Sequence, residues 1–504
     1  MRRPSPLFRL SQWLAVAAAA LFAGLYVFTA LPRLLYPYDL DFIEDSLLMQ
    51  SLRHAQGLPV YLPPNADFVP HVYMPLYMWL GGLLFRLTGP GYVPLRALSF
   101  AATLATTLLI FGIARRESGQ NWLAFACAGL YLGGYRITGF WYELARVDSL
   151  HVTLALAGFA IGIYASKSWR GMAGAAAVLA LAFFTKQTSI IFAGALGLYW
   201  LVAIGRRAWA FAGWYAAFTA LPLLAINLAT GGAFWAHIFG LATAEPLEAA
   251  RVAQYVWVDV LFSMGGLSGL AIAAAVLGAR RAGWRWIGEQ PWAFGLAAAF
   301  VVSGLGRAPA GGNVNNLMLV YALLCLSPAL LAREMNLTPR PPLLSPKSGA
   351  QERRSLGQGF VALAVLIQFA LGAYNPWRYI PTDAMRQSGD RFIQRLASID
   401  GDVLVLMHPY YTWLAGKTPS TQIIHLWYFY HYHGLPLPED FVSRIRRREY
   451  TAIISDESLF ETEPVVRDLI EAYYRPAERL TEADAPPTMT GIVVRPQVIY
   501  VPKE

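Results

Sequence analysis

The chain of 504 residues is 56% hydrophobic and only 14% charged, with a mean hydropathy of +0.41 and a formal net charge of +9. A soluble protein carries roughly 25% charged residues, so a soluble enzyme is excluded; repeated uncharged runs of about 17–25 residues, the length that crosses a bilayer, mark a polytopic membrane protein. Of the Lys and Arg residues roughly 26 lie before residue 377 and 14 after it, against 14 and 17 acidic residues, so the positive balance belongs to the membrane part and points to anionic lipids and positive-inside loops, with no nucleic acid as partner.

The first apolar run, Trp13–Leu31, follows Arg2, Arg3 and Arg9. It is too long for a signal-peptide core and ends without a small-x-small cleavage site, so it reads as a retained span. Next comes Asp39–Tyr61, with Asp39, Asp41, Glu44 and Asp45 at a membrane boundary. Asp41, Glu44 and Asp45 at i, i+3 and i+4 share one face of a helix, Leu47, Leu48, Leu52 and Ala55 form an apolar face, and Gly57 and Pro59 stop it. Asp41-x-x-Glu44 is equally what a helix N-terminus wants, an acidic cap with Glu three residues on. Tyr73–Leu87 is apolar but short and reads as a second surface helix started by Pro75.

Apolar runs at about 12–34, 95–114, 120–140, 149–165, 171–184, 188–204, 210–228, 256–278, 291–306, 317–332 and 359–375 give about eleven spans. With the N-terminus inside, roughly 17 Lys and Arg fall on the inner side and 9 on the outer, which fixes the orientation and puts the tail outside. Cys127 and Cys325 lie inside apolar runs and read as packing residues. The inner segment 333–357, rich in Pro, Arg and Ser, reads as a flexible loop. In the tail, Asp402–Met407 and Tyr450–Ile454 read as strands, Phe441–Arg448 and Pro464–Tyr474 as helices. The expected architecture is mainly α: a transmembrane helical bundle, residues 1–376, with outer-face juxtamembrane helices, and a small extracytoplasmic α/β domain, residues 377–504.

The notable polar residues near the spans all fall on the expected outer side. Asp41 and Glu44 precede the second span, Arg146 and Asp148 lie between the third and fourth, and Lys186-Gln187 between two short spans. His237 follows the seventh, and Arg307 with Asn313, Asn315 and Asn316 lies between the ninth and tenth. Singly, each has a plain reading: a local ion pair at Arg146–Asp148, a snorkelling Lys186, an interfacial His237, a Gly-Gly-Asn turn. Together, acids and cations at one membrane surface suit group transfer from a lipid phosphate, where a carboxylate takes a proton from the incoming hydroxyl and cations stabilise the departing phosphate. A transporter of lipid-linked glycans is the competing reading, but it would place polar groups near the bilayer midplane with repeat symmetry.

These residues resemble the GT-C superfamily of integral-membrane glycosyltransferases, in particular its bacterial mannosyltransferase-like and aminoarabinose-transferase-like branch. The resemblance rests on Asp41-Phe-Ile-Glu44 leading to Gly57 and Tyr61, then on Tyr73-Met-Pro75-Leu-Tyr77, Arg146-Val-Asp148, Lys186-Gln187 and Gly311-Gly312-Asn313-Val-Asn315-Asn316. It covers about residues 10–330. Met74 departs from the usual proline, Arg307 stands where a lysine is common, and no W-W-D-Y-G motif is present, which speaks against an oligosaccharyltransferase. The resemblance implies a polyprenyl-phosphate sugar donor, an extracytoplasmic acceptor and inverting transfer at the cell (inner) membrane. Asp41 would be the catalytic carboxylate, acting as base or acceptor-activating group, with Glu44 as partner; Tyr73, Tyr77, Arg146, Asp148, Lys186, Gln187, His237, Arg307, Asn313 and Asn316 would bind substrate. No cofactor is certain; Glu44 and His237 are the side chains expected to meet at a divalent cation if the chemistry uses one.

Overall fold

A run of 29 residues rich in Ala, Leu and Phe makes the first helix, α1 (Pro6–Leu34), long enough at about 1.5 Å per residue to cross a bilayer. In the computed structural model, which describes residues 6–165, 168–241, 246–283, 285–335, 348–456 and 464–504, α1 packs against α5 (Asn121–Gly133), α4 (Tyr92–Ser118) and the helix Ser348–Leu371. The α1–α5 contact depends on glycine: a Cβ on Gly129 would stand 2.3 Å from that of Ala19, the small-residue approach by which apolar helices pack in lipid. On the other side of α4, α6 (Val147–Tyr164) packs against α7 (Trp169–Thr185), and α8 (Ser189–Ile204) against the helix Pro291–Arg307.

Among the described residues, six helices are long and apolar enough to span a membrane, or seven if the bent pair Ala249–Ser263 and Gly265–Ala282 counts as one span. The eleven spans expected from hydropathy are therefore not recovered. Several runs do not form one long straight helix: 188–204 and 210–228 continue into each other through a 3₁₀ turn at Gly205–Ala208, 256–278 bends by 90° near Met264, and 120–140 stops as a helix at Gly133. Asn121–Gly133 and Trp169–Thr185 are apolar but shorter. Most of the expected loop 333–357 lies outside the described residues.

Two short helices lie at one end of the bundle, as the sequence suggests. The first, α2 (Phe42–Gln56), ends at Gly57, whose φ of +74° is the left-handed conformation that lets its N–H reach back to Arg53 and His54. The second, α3 (Leu76–Thr88), starts at Pro75 and has 13 residues, too few to cross. They pack together through Gly81 and Gly82, where a Cβ would meet Ser51 Oγ at 2.5 Å and His54 Cβ at 2.7 Å.

The tail forms the expected α/β unit. Four strands run in the order β1 (Asp402–Val405), β2 (Tyr450–Ser455), β4 (Val498–Pro502), β3 (Tyr474–Arg479). The first pair is parallel; β4 is antiparallel to both β2 and β3. Helices Asp383–Ser398, Glu439–Arg446 and Pro464–Tyr473 complete it. The two apolar strands are readable as buried runs. β3, an exposed edge strand carrying Pro476, has no such pattern.

A buried histidine ties this unit to the bundle. His408 Nδ1 stands 2.8 Å from Asp39 in the α1–α2 loop, and Nε2 3.0 Å from Asp456 just after β2. Tyr411 also hydrogen-bonds Asp39, and both Asp45 oxygens accept from the Tyr410 N–H. Burial alone would lower the His408 pKa; Asp39 and then Asp456 overcome it and hold the imidazolium well above the ordinary histidine value. Its stabilisation is then complete below the unfolded-state pKa, about 6.5, and is lost as pH rises through the higher folded value. We expect thermal stability in detergent to fall from pH 6 upward in wild type. His408→Gln should melt lower at pH 6 by the roughly 3–5 kcal/mol typical of breaking a buried charge cluster, with a flatter pH dependence. Superimposable melting curves for the two proteins across that range would remove His408 as the tie.

Candidate active site

Helix termini carry the site. Asp41 is the residue before α2, in extended conformation (φ −145°, ψ 132°), and its side chain makes no capping bond. Arg146 stands in the same place before α6, and Lys186 directly follows α7. The bundle brings these ends together, and a continuous polar chain results. Arg146 Nη1 donates to Asp41 Oδ2 at 2.5 Å and Nη2 to the Tyr73 hydroxyl at 3.1 Å. Its Nε lies 3.8 Å from Asp148 Oδ2. Lys186 Nζ donates to Asp148 Oδ1 at 3.0 Å and to Asn316 Oδ1 at 2.8 Å, and Asn315 donates to Asp148 Oδ2 at 3.1 Å. Asn316 in turn donates to the Asn313 carbonyl, and Asn313 Oδ1 accepts from the Val314 N–H.

Asp41 is fully buried, yet its second oxygen, Oδ1, has no hydrogen-bond partner among the described residues. Burial drives its carboxyl upward; Arg146 opposes that rise and Glu44 adds to it, leaving the pKa at about 7. An acid with one free oxygen, titrating near neutrality beside a guanidinium, is equipped to accept a proton. The Arg146 guanidinium also lies over the Trp141 ring, 4.8 Å from its centroid.

Glu44, paired with Asp41 on sequence grounds, faces elsewhere. Its carboxylate takes Arg96 Nε and Nη2 at 2.8 and 2.6 Å, the Leu40 N–H at 2.8 Å and the Ala145 N–H at 2.7 Å. Four donors fill its acceptor capacity. Arg96 is equally committed, its remaining N–H groups donating to the carbonyls of Arg33, Tyr36 and Tyr38. The pair is a clamp that sets the loop leading to Asp41.

The other expected binding residues divide. Tyr73, Arg146, Asp148, Lys186, Asn313 and Asn316 belong to the polar chain. Gln187 follows Lys186 and keeps a buried Oε1 that has no partner among the described residues. Tyr77 is buried under α2 and donates to the Leu95 carbonyl at 2.9 Å. Arg307 is near, because a Cβ on Gly306 would touch Asn316, but its head is held by Asp259 at 2.9 Å and the Gly312 carbonyl at 3.2 Å. His237 packs on Phe429, with Nδ1 2.9 Å from the Ala233 carbonyl, apart from the chain. Glu44 and His237 therefore do not share an ion-binding geometry, and among the described residues no group of three His, Cys, Asp or Glu side chains is arranged around a metal.

Sequence reasoning missed Arg96, Asp259, Trp141 and the buried Arg33–Glu143 pair, 2.5 Å apart. Arg96 had a signal: a cation just inside an apolar run, following four unmatched carboxylates. Asp259 and Trp141 had none beyond their residue type. If Glu44 is the clamp, Glu44→Gln keeps its shape but leaves Arg96 a buried charge without its counter-ion. Folding should then cost roughly 3–5 kcal/mol, read as lower yield and melting temperature, whereas an unchanged melting temperature would rule the clamp out.

Neither a scan against protein-family models nor a search of curated proteins finds a match. Solved structures do match. ArnT from Cupriavidus metallidurans in the apo state superposes with a TM-score of 0.60 at 14% identity, over 95% of this chain and 97% of that one. The same protein bound to undecaprenyl phosphate gives 0.58 at 12% over the same shares. The archaeal oligosaccharyltransferase AglB from Archaeoglobus fulgidus, in complex with an inhibitory peptide and a dolichol-phosphate, gives 0.51 at 11%, over 92% of this chain and 72% of that one. The chain shares its fold with ArnT and AglB over nearly its whole length.

Proposed function

We propose that a chain with this fold and this polar chain transfers a sugar from a polyprenyl-phosphate donor to an extracytoplasmic acceptor, with inversion, at the outer face of the cell (inner) membrane. The carrying observation is the free oxygen of buried Asp41, at one end of a line of cations and amides that runs through Arg146 and Lys186 to Asn313. Undecaprenyl phosphate in ArnT and dolichol-phosphate in AglB support a lipid-phosphate donor.

In this mechanism Lys186 and Arg146 hold the donor phosphate, with Arg307 adding positive field from behind Asn316. The acceptor approaches the anomeric carbon opposite the phosphate. Asp41 Oδ1 takes its proton as the new bond to the carbon forms, and the carbon–oxygen bond to phosphate breaks with its electrons on the phosphate, where the cations stabilise them. The attack from the far side inverts the centre. The N-terminus is cytoplasmic and residues 377–504 are outside, consistent with the Lys/Arg asymmetry.

Purified protein incubated with a panel of labelled polyprenyl-phosphate sugars and envelope acceptors should transfer one of them; a transporter of lipid-linked glycan would turn over none. Asp41→Asn should insert and bind donor normally but lose transfer by roughly 10²–10⁴-fold. For wild type, kcat/KM should rise with pH until the carboxyl is ionised, near pH 7, and then level off. Near-normal transfer by Asp41→Asn would eliminate it as base.

Lys186→Gln and Arg146→Gln should each weaken donor binding, since a charge-assisted contact contributes roughly 1.5–3 kcal/mol, and should raise KM as well as lower kcat. Wild-type donor affinity in both variants would make these residues structural ion-pair partners and nothing more.

A further inference from the structure

The free oxygen of Asp41 is covered by the other end of the chain. The loop Thr488–Val494 reaches down from the C-terminal unit onto the α1–α2 loop. A Cβ on its Gly491 would lie 3.2 Å from Asp41 Oδ1 and 2.9 Å from Trp141 Cζ2. Gly491 has φ +75°, so both its backbone conformation and its close seat against Trp141 and Asp41 suit glycine. The loop is closed on itself: Thr488 N–H donates to the Val494 carbonyl and Val494 N–H to Thr488 Oγ, each at 2.9 Å. It is held to the bundle through two residues. Met489 and Thr490 N–H both donate to the Leu40 carbonyl, at 3.0 and 2.8 Å, and Arg33 Nη2 donates to Thr490 Oγ at 2.8 Å. Its other limb is open, with Ile492 and Val493 about half exposed.

We infer that loop 488–494 is a gate over the acceptor subsite, which rests on the reading of Asp41 as the proton acceptor. Three observations meet there. Gly491 lies against the space where an acceptor hydroxyl would have to stand to give its proton to Asp41, since a Cβ on it would come to 3.2 Å from Oδ1. The oxygen it covers is a buried carboxylate oxygen with no donor among the described residues, an arrangement that costs free energy unless another ligand completes it. The loop is internally tied and hydrogen-bonds the bundle through Met489 and Thr490, so it lifts as a unit about its buried ends Thr488 and Val494. Lifting exposes Asp41 Oδ1 beside the benzo edge of Trp141, a carboxylate next to an apolar aromatic edge, which suits a hydroxyl on a carbon ring. The C-terminal unit therefore takes part in acceptor selection, while Lys186 is held at Asp148 and Asn316, neither of which hydrogen-bonds the loop among the described residues.

The test locks the loop in full-length protein. Thr490 and Leu40 are in backbone hydrogen-bond contact, the neighbourhood that a disulfide bridges, so Leu40→Cys/Thr490→Cys is oxidised and the bridge confirmed by mass. With the donor and acceptor found by the panel above, transfer should fall to background in the bridged protein and return on reduction, while donor binding stays the same in both states. Full transfer by the bridged protein overturns the gate. If the reduced double variant is itself inactive, Thr490→Cys alone decides. In detergent, a maleimide should label the introduced thiol far faster than the buried Cys127 and Cys325, which report global unfolding; labelling no faster than theirs overturns the gate. Failure of the proposed function shows separately, as normal transfer by Asp41→Asn.

Discussion

The buried pair of Arg96 and Glu44 decides where the loop between α1 and α2 can go, and with it the site. All the donors of Arg96 are spent: two on Glu44, the rest on the three carbonyls of Arg33, Tyr36 and Tyr38 at the end of α1 and just beyond. Those carbonyls belong to a chain leaving a helix, where the regular backbone ladder runs out of donors. In an apolar surrounding each would be costly. One guanidinium satisfies them together and turns the chain, so that Asp41 emerges facing Arg146. The cost of burying the charge is met by the geometry of its partner, since Glu44 is itself saturated by two further backbone N–H groups.

This explains why two neighbouring carboxylates have different characters. Glu44 has four donors and no oxygen to spare. Asp41, three residues earlier, has one strong donor and one bare oxygen. Burial is complete for both, so the difference comes from hydrogen bonding. Lys186 and Asp148 repeat the pattern at the far end of the polar chain, where amides of Asn315 and Asn316 complete a charge pair that lies just below the helix ends. The fold delivers these groups by letting helices terminate, since a helix end is where a side chain can leave the bundle without breaking the backbone ladder.

Much of this was legible in the sequence because it is local. Gly57, Pro75 and the short apolar length of 76–88 announced α2 and α3, and continuous apolar runs announced β1 and β2. The grouping of Asp41, Arg146, Lys186 and the Asn313–Asn316 segment followed from loop order and charge alone. What depended on distant partners was not legible. Nothing near Glu44 in sequence says that Arg96 will consume it, so it looked like a second catalytic acid. Nothing around Arg307 announces Asp259. The count of about eleven spans is not confirmed: hydropathy measures how apolar a run is, and it does not report the 3₁₀ turn at Gly205–Ala208, the bend near Met264 or the end of the helix at Gly133.

The ties across the site have large separations in sequence, 369 residues for Asp39 to His408 and 457 for Arg33 to Thr490. During synthesis, α1 is made and inserted long before either partner exists. Asp39 and Asp45 therefore wait for the segment His408–Tyr411, and Arg33 completes its set of partners only with Thr490. Contacts of such separation form late and slowly. A chain that stalls or is cut before Thr488 still has its helical bundle with Arg146 and Lys186 but lacks the loop over Asp41. Assembly order thus makes the finished C-terminal unit a check on the catalytic end.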